Sequence, residues 1–90
     1  MAASELKLDG NALGGLLAEI FPFEMTVASS SCDGCGAVDQ VGALAVYKQA
    51  PGAVVRCPHC DGVLMRIVRD SGRYWLDLRG VACLEIRADL

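Results

Sequence analysis

Apolar residues near the start of the chain recur at the spacing of one face of a helix. They are Leu13, Leu16, Leu17 and Ile20, at the i, i+3, i+4, i+7 positions. This pattern predicts an amphipathic helix over about residues 9–21. An oxygen of the Asp9 or Asn11 side chain can cap its first turn, and Pro22 ends it at or just before Phe21. Because Gly14 and Gly15 weaken the helix, its apolar side must pack against the rest of the domain.

Two β-compatible segments predict a C-terminal hairpin over about residues 63–79, with Asp70-Ser71-Gly72-Arg73 between them. A two-residue turn and a four-residue loop give the same register, in which paired residue numbers add to 143 and Arg66 faces Asp77. The face expected to form core carries Val63, Met65, Ile67, Tyr74, Leu76 and Leu78. The opposite face carries Leu64, Arg66, Val68, Trp75, Asp77 and Arg79. Two outcomes remain open for this second face: the helix covers it and buries Trp75, or the face is exposed.

The other apolar segments are short and favour strands. Strands are predicted at residues 25–28, 41–47, 53–56 and 81–86, with a serine turn at 29–31, a loop at 48–52 and frayed residues at 87–90. The chain is therefore predicted to form one domain, residues 1–90, of class α+β and mainly β.

Four cysteines form two Cys-x-x-Cys pairs, Cys32 with Cys35 and Cys57 with Cys60, separated by 21 residues. We call residues 32–36 the first knuckle and residues 57–62 the second knuckle. Two residues between paired cysteines allow a tight turn to direct both sulfurs at one point, and four thiolates suit a tetrahedral Zn²⁺ ion. We expect one structural Zn²⁺. Its binding with loss of four thiol protons would change the formal net charge from −3 to −5.

The segments between the knuckles suggest how the two are brought together. Residues 41–47 and 53–56 predict a hairpin that carries the first knuckle at its base and leads into the second. This is the zinc-ribbon arrangement, so the expected fold is an antiparallel zinc-ribbon sheet with one short N-terminal helix.

Other interpretations of the cysteines remain open. They are disulfides, a thioredoxin-like redox dithiol, an iron site, and His59 as a ligand in place of one cysteine. Disulfides suit secreted domains, and the start of this chain lacks a basic region followed by an apolar stretch. A redox dithiol needs only one pair. The fifth cysteine, Cys83, lies in an apolar segment and is expected to be a buried structural thiol.

Composition and charge narrow the function classes. The chain has 90 residues, of which 53% are hydrophobic, and its net charge is −3. A core of this size is marginal, so a metal tie is expected. The acidic balance argues against a general nucleic-acid binder. No segment approaches the roughly 20 apolar residues of a membrane span, and we expect a cytoplasmic protein without a membrane partner.

The chain resembles a family of small uncharacterised bacterial zinc-ribbon proteins, a domain of unknown function. The residues that carry the resemblance are Leu8-Asp9-Gly10-Asn11-Ala12-Leu13, Leu16-Leu17-Ala18-Glu19-Ile20-Phe21, Met25-Thr26, Cys32 to Gly36, Arg56-Cys57-Pro58 with Cys60, and Trp75-Leu76-Asp77-Leu78-Arg79-Gly80. The resemblance spans nearly the whole chain and implies the zinc-ribbon fold and a cytoplasmic bacterial setting. It implies no substrate and no partner.

The leading functional hypothesis is a non-enzymatic zinc-ribbon module that binds another macromolecule, most plausibly a protein. The closed metal site and the single histidine leave little material for a catalytic constellation. The candidate interaction surface is Arg66, Trp75, Asp77 and Arg79, with the Phe21-Pro22-Phe23 elbow and the knuckle residues His59 and Asp61 as further contact candidates. Alternatives are a nucleic-acid-binding ribbon that uses Trp75 and nearby arginines, and a metal-trafficking or thiol redox protein. A homo-oligomer is also possible.

Overall fold

Eight short strands form two antiparallel sheets in the computed structural model, which describes residues 7–49 and 51–88. The strands are β1 (Lys7–Asp9), β2 (Ser29–Cys32), β3 (Val38–Gln40), β4 (Ala45–Gln49), β5 (Gly52–Arg56), β6 (Val63–Asp70), β7 (Arg73–Asp77) and β8 (Val81–Glu85). The larger sheet has the order β1-β4-β5-β6-β7, and the smaller sheet has the order β3-β2-β8. The predicted class, α+β and mainly β, is confirmed.

The N-terminal helical segment is shorter than the prediction over 9–21. Residues 7–9 form β1 against β4, a 3-10 turn follows at Gly10–Leu13, and the α-helix, α1, spans only Gly14–Ile20. Asp9 caps the 3-10 turn as predicted, because its side chain accepts a hydrogen bond from the Asn11 backbone at 3.1 Å. No helix among the described residues has the length and apolar character needed to span a membrane.

The predicted turn at the three consecutive serines is wrong. Residues 29–31, predicted as a turn, belong to β2, and the predicted strand at 25–28 is mostly a 3-10 turn, Met25–Val27. β2 lies between β3 and β8 and pairs with both, so sheet partners on each side satisfy its backbone despite the turn preference of serine. Similarly, the strand predicted at 41–47 begins with a 3-10 turn, Val41–Ala43, and only β4 follows as strand.

The C-terminal hairpin has the predicted register, with Arg66 opposite Asp77 and Val68 opposite Trp75. Ser71 and Gly72 form its two-residue turn, with φ of 53° and 77°. Its residues lie on the expected sides of the sheet except near the start of β6, but Tyr74 and Leu76, expected to form core, are exposed because β7 is the edge strand.

A register shift between β5 and β6 changes the orientation of the chain at the start of β6. Val63 pairs with Arg56 and Met65 pairs with Val55, so Leu64 is the extra residue of a bulge. Leu64 and Met65 are consequently both buried, although the alternation of the strand places Leu64 on the outer face.

The core lies on one side of the larger sheet. It contains Leu13, Leu17, Met25, Val41, Val46, Val55, Met65 and Ile67, together with Cys32 and Cys57. The helix packs on this inner side, where Glu19 accepts a hydrogen bond from the Tyr74 hydroxyl at 2.7 Å and lies 3.4 Å from Arg69. The helix therefore does not bury Trp75, which lies on the outer face and is 49% exposed.

The Phe21-Pro22-Phe23 elbow is divided between core and solvent. Phe21 is half-buried against the core, whereas Phe23 is 36% exposed. Of the two aromatic contact candidates in the elbow, Phe23 is therefore the exposed one.

Gly80 connects the two sheets at a point of close backbone contact. Its N–H donates to the Leu64 carbonyl at 3.0 Å, and its carbonyl accepts from the Asp33 N–H at 2.9 Å. A Cβ atom on Gly80 would lie 2.0 Å from the Val63 carbonyl oxygen. Only glycine allows this approach.

Alanine substitutions at Gly80 and Gly15 are expected to have opposite effects on stability. The Gly80→Ala side chain would force β6 and the first knuckle apart, lowering the free energy of unfolding by about 1–3 kcal/mol. A Cβ on Gly15 meets nothing within 4 Å, so Gly15→Ala should raise the free energy of unfolding by about 0.4–1 kcal/mol. Urea denaturation of the metal-loaded variants measures both, and equal stability of Gly80→Ala and the wild type would contradict the close contact.

Candidate metal centre

Each cysteine pair lies at the tip of a hairpin, and the two hairpins belong to different sheets. Cys32 ends β2, and Cys35 lies in the turn to β3. Cys57 follows β5, and Cys60 lies in the turn to β6. The predicted hairpin that leads into the second knuckle exists as β4 and β5, but the first knuckle is carried by the smaller sheet. The four cysteines therefore join the sheets.

The two knuckles share one backbone hydrogen-bond pattern. In each knuckle the N–H of the first cysteine donates to the carbonyl of the residue five positions later. The carbonyl of the same cysteine accepts from the N–H of the residue four positions later. The bonds are Cys32 to Ala37 at 2.8 Å, Gly36 to Cys32 at 2.9 Å, Cys57 to Gly62 at 2.8 Å and Asp61 to Cys57 at 2.9 Å. The same local structure is thus built twice.

The fifth position of each knuckle has a left-handed backbone. Gly36 has φ of 78° and Asp61 has φ of 64°. Glycine adopts this conformation without strain, and aspartate is one of the few other residues that tolerate it. Alignment of the two Cys-x-x-Cys motifs places Asp61 at the position of Gly36, which is the sequence signal for its backbone role.

The separations of the four sulfurs are compatible with a tetrahedral metal site. The Cys32 and Cys60 sulfurs lie 3.7 Å apart, as do those of Cys35 and Cys57, and all four ligand atoms lie within 4.8 Å of one another. A metal ion about 2.3 Å from four tetrahedral sulfurs requires sulfur–sulfur distances of about 3.8 Å. Every cysteine is a free thiol. The predicted ligand set is thus placed to hold a metal ion.

Hydrogen bonds within the cluster shift the pKa values of its cysteines. A backbone hydrogen bond from Cys35 lowers the pKa of the Cys32 thiol to about 7, against the opposing effect of burial. At Cys35 a backbone hydrogen bond from Ala37 lowers the pKa, but partial desolvation of the sulfur and hydrogen bonds with the neighbouring thiols raise it to about 12. One thiolate thus suppresses ionisation of the next. A divalent cation removes this conflict, since it favours all four thiolates together.

Polar contacts around the cluster hold the second knuckle in place. The N–H groups of His59 and Gly62 donate to the Cys57 and Cys60 sulfurs, each at 3.4 Å. The Arg56 guanidinium, next to Cys57 in the sequence, donates to the Asp61 carbonyl at 2.9 Å. These contacts orient the ligands.

The His59 ring points away from the sulfurs. Its Nε2 atom lies 3.0 Å from Asp39 Oδ2 on β3, so it joins the two hairpins through a polar contact. The alternative in which His59 replaces a cysteine as ligand has no support in this geometry.

Burial of the ligands is asymmetric. Cys32 and Cys57 are 5% and 2% exposed and belong to the core, whereas Cys35 and Cys60 are exposed. The site therefore lies at the edge of the core. Cys83, expected to be buried, is exposed, because it lies on β8, an edge strand that pairs only with β2 among the described strands.

The predicted interaction residues lie together in the structure. Arg66, Trp75, Asp77 and Arg79 line one groove on the outer face of the larger sheet. Arg79 Nη2 lies 2.6 Å from Asp77 Oδ2, and this hydrogen bond lowers the pKa of Asp77 to about 2. Tyr47 lines an adjacent groove with Arg56 and Arg66. The sequence did not single out Tyr47, because the strand predicted at 41–47 gave no indication of which side chains face outward.

Substitutions at the two left-handed positions are expected to differ. Gly36→Ala forces a Cβ into the left-handed region and should lower the free energy of unfolding by about 1–2 kcal/mol. Asp61→Gly removes the backbone strain of this conformation and keeps the carbonyl that accepts from Arg56. The free energy of unfolding should therefore not fall. Chemical denaturation with the metal present measures both. A loss at Asp61→Gly as large as that at Gly36→Ala would contradict the equivalence of the knuckles.

Comparison with known proteins relates the chain to a family. No curated protein matches the chain, and no solved structure matches it. A family described as "Family of unknown function (DUF6510)" matches residues 3–89. The resemblance to a domain of unknown function is thereby confirmed, and the chain belongs to this family of unknown function.

Proposed function

We propose that the protein is a non-enzymatic module in which one structural Zn²⁺ ion, held by Cys32, Cys35, Cys57 and Cys60, fixes a scaffold for binding another protein. The observation that carries the proposal is the four-sulfur cluster, whose atoms lie within 4.8 Å of one another and which joins two sheets. Its ligands come from two hairpins distant in sequence, so metal binding contributes directly to folding.

The chemistry of the donors supports zinc as the metal. Four thiolates in a tetrahedral arrangement suit Zn²⁺ or iron, and zinc is the usual ion in structural sites of two Cys-x-x-Cys pairs. Four free thiols also require a reducing compartment to persist as ligands, which supports a cytoplasmic location.

The ligand set supports a structural role rather than a catalytic one. Catalytic zinc sites keep one position for water or substrate, whereas four protein sulfurs fill a tetrahedral ion completely. His59, the single histidine of the chain, is held by Asp39 beside the site. The cluster is therefore suited to tie elements together.

The outer face of the larger sheet supports a protein partner. Trp75 is 49% exposed and shares its groove with Arg66 and Arg79. Tryptophan and arginine are enriched at the energetic centres of protein interfaces. The helix packs on the opposite side, so within residues 7–49 and 51–88 this surface is left uncovered.

Thiol titration separates a structural site from metal trafficking or redox chemistry. In the native zinc protein, only exposed Cys83 should react rapidly with a thiol reagent, and all five cysteines should react after chelation in denaturant. Cys83→Ser is the matched control and should leave no rapidly reacting thiol. Rapid reaction of the knuckle cysteines in the native protein would contradict the proposal, as would metal analysis that finds no zinc.

Nucleic-acid binding is a second candidate, favoured by one observation. Along the larger sheet Tyr47 opposes Val54 and Val54 opposes Arg66, so Tyr47 and Arg66 share the outer face with Trp75. Aromatic and arginine side chains on a sheet can stack on single-stranded bases. The net charge of −3, or −5 with zinc, opposes it.

Anisotropy of labelled single-stranded oligonucleotides decides between the two candidates. Because the chain is acidic, we expect no saturable binding at low salt. Binding that weakens steeply with salt and is reduced by Arg66→Ala would instead support nucleic-acid recognition. Arg87→Ala, at an exposed position outside the outer face, is the control.

A further inference from the structure

Exposed hydrophobic side chains are concentrated on one edge strand. Among the described residues the large exposed hydrophobics are Phe23, Val38, Tyr74, Trp75 and Leu76. Three of the five are consecutive on β7, where they are exposed on both faces of the sheet. β7 ends the larger sheet and pairs only with β6 among the described strands. Such an edge presents unpaired backbone groups to a partner strand.

The hairpin turn determines which pairs of the β6–β7 ladder are hydrogen-bonded. Ser71 and Gly72 both have positive φ, as in a two-residue type I′ turn. The closing pair is Asp70 with Arg73, so these two residues exchange the first hydrogen bonds. Bonded and non-bonded pairs then alternate along the ladder.

This alternation directs part of the backbone of β7 outward. Trp75, two residues after Arg73, directs its N–H and C=O at β6, as Arg73 does. Tyr74 and Leu76 direct theirs to the open edge. An added strand would therefore form its hydrogen bonds with Tyr74 and Leu76.

The sequence of β7 is complementary to itself in the antiparallel direction. It reads Arg73-Tyr74-Trp75-Leu76-Asp77, with a cation at one end, an anion at the other and three apolar residues between. If a second copy pairs about Trp75, Arg73 lies opposite Asp77 of that copy, and Tyr74 lies opposite Leu76. This places the two outward-directed residues opposite each other, as the hydrogen-bond alternation requires.

We infer that two copies of the chain pair through β7 in antiparallel orientation about Trp75, which joins their larger sheets into one continuous sheet. The inference rests on the proposed function, since the zinc-held scaffold presents the strand, and it names the partner as a second copy. The two Trp75 side chains face each other at a non-hydrogen-bonded pair, where side chains approach most closely.

The neighbouring charges continue this complementarity. Within one chain Asp70 opposes Arg73, and Arg66 opposes Asp77. Pairing about Trp75 joins these pairs into one row across the two copies. In order the row is Asp70 and Arg73 of one copy, then Asp77 and Arg66 of the other, so negative and positive charges alternate along it. Asp77 already accepts from Arg79, whose side chain is 90% exposed, and a carboxylate has acceptor capacity for a further donor.

Charge reversal tests the pairing in the full zinc-loaded chain. Sedimentation velocity across the micromolar range should show the wild type approaching twice the 9.5 kDa mass of the chain. Arg73→Asp and Asp77→Arg each place like charges opposite each other and should raise the dissociation constant about tenfold or more. An equimolar mixture of the two variants should restore the dimer, because each then complements the other. Arg87→Asp, at an exposed position outside β7, is the matched control.

Tryptophan fluorescence gives a second readout, because Trp75 is the single tryptophan of the chain. Its emission should shift to the blue with increasing concentration of the wild type and not with either single variant alone. Zinc content measured on the same samples separates the two proposals. A zinc-bound protein that stays monomeric overturns the pairing and leaves the zinc proposal intact. A monomer whose Trp75 is covered by nucleic acid or by another protein has the same consequence. A dimer that both charge reversals leave unchanged also overturns it, and folded protein without zinc overturns the proposed function instead.

Discussion

Four cysteine sulfurs that lie within 4.8 Å of one another connect a three-stranded sheet to a five-stranded one. The chain has 90 residues, and a core of this size gives little stability without an additional tie. Two of the ligands, Cys32 and Cys57, are themselves core residues. The cysteine cluster therefore lies at the edge of the core, where a bound metal ion would tie the two sheets together.

Other contacts meet at the same junction and support it. Gly80 bridges β6 and the first knuckle through two backbone hydrogen bonds, and the pair of His59 and Asp39 links the two hairpins outside the sulfurs. With the helix on the inner side, the outer face and the β7 edge are left open within the described part of the chain. Under the proposed function a bound metal ion would supply rigidity, and a partner would bind on this outer surface.

The features that sequence predicted best are those fixed by local chemistry. The spacing of Cys32, Cys35, Cys57 and Cys60 follows from how thiolates surround a metal, and the register of Arg66 with Asp77 follows from the turn at Ser71-Gly72. Both were predicted without knowledge of the rest of the fold.

The features that sequence predicted poorly depend on neighbours distant along the chain. The serines of β2 form a strand because β3 and β8 flank them, and Leu64 is buried because of a bulge opposite β5. The exposure of Trp75 and Cys83 depends on which side the helix covers and which strand lies at an edge. No pattern within a single segment records these arrangements.

X-ray absorption fine structure at the zinc edge of the purified protein tests the central claim most directly. The account predicts one zinc per chain with four sulfur neighbours at about 2.3 Å. A shell that contains nitrogen or oxygen, or fewer than four sulfurs, would contradict a closed structural site that joins the two sheets.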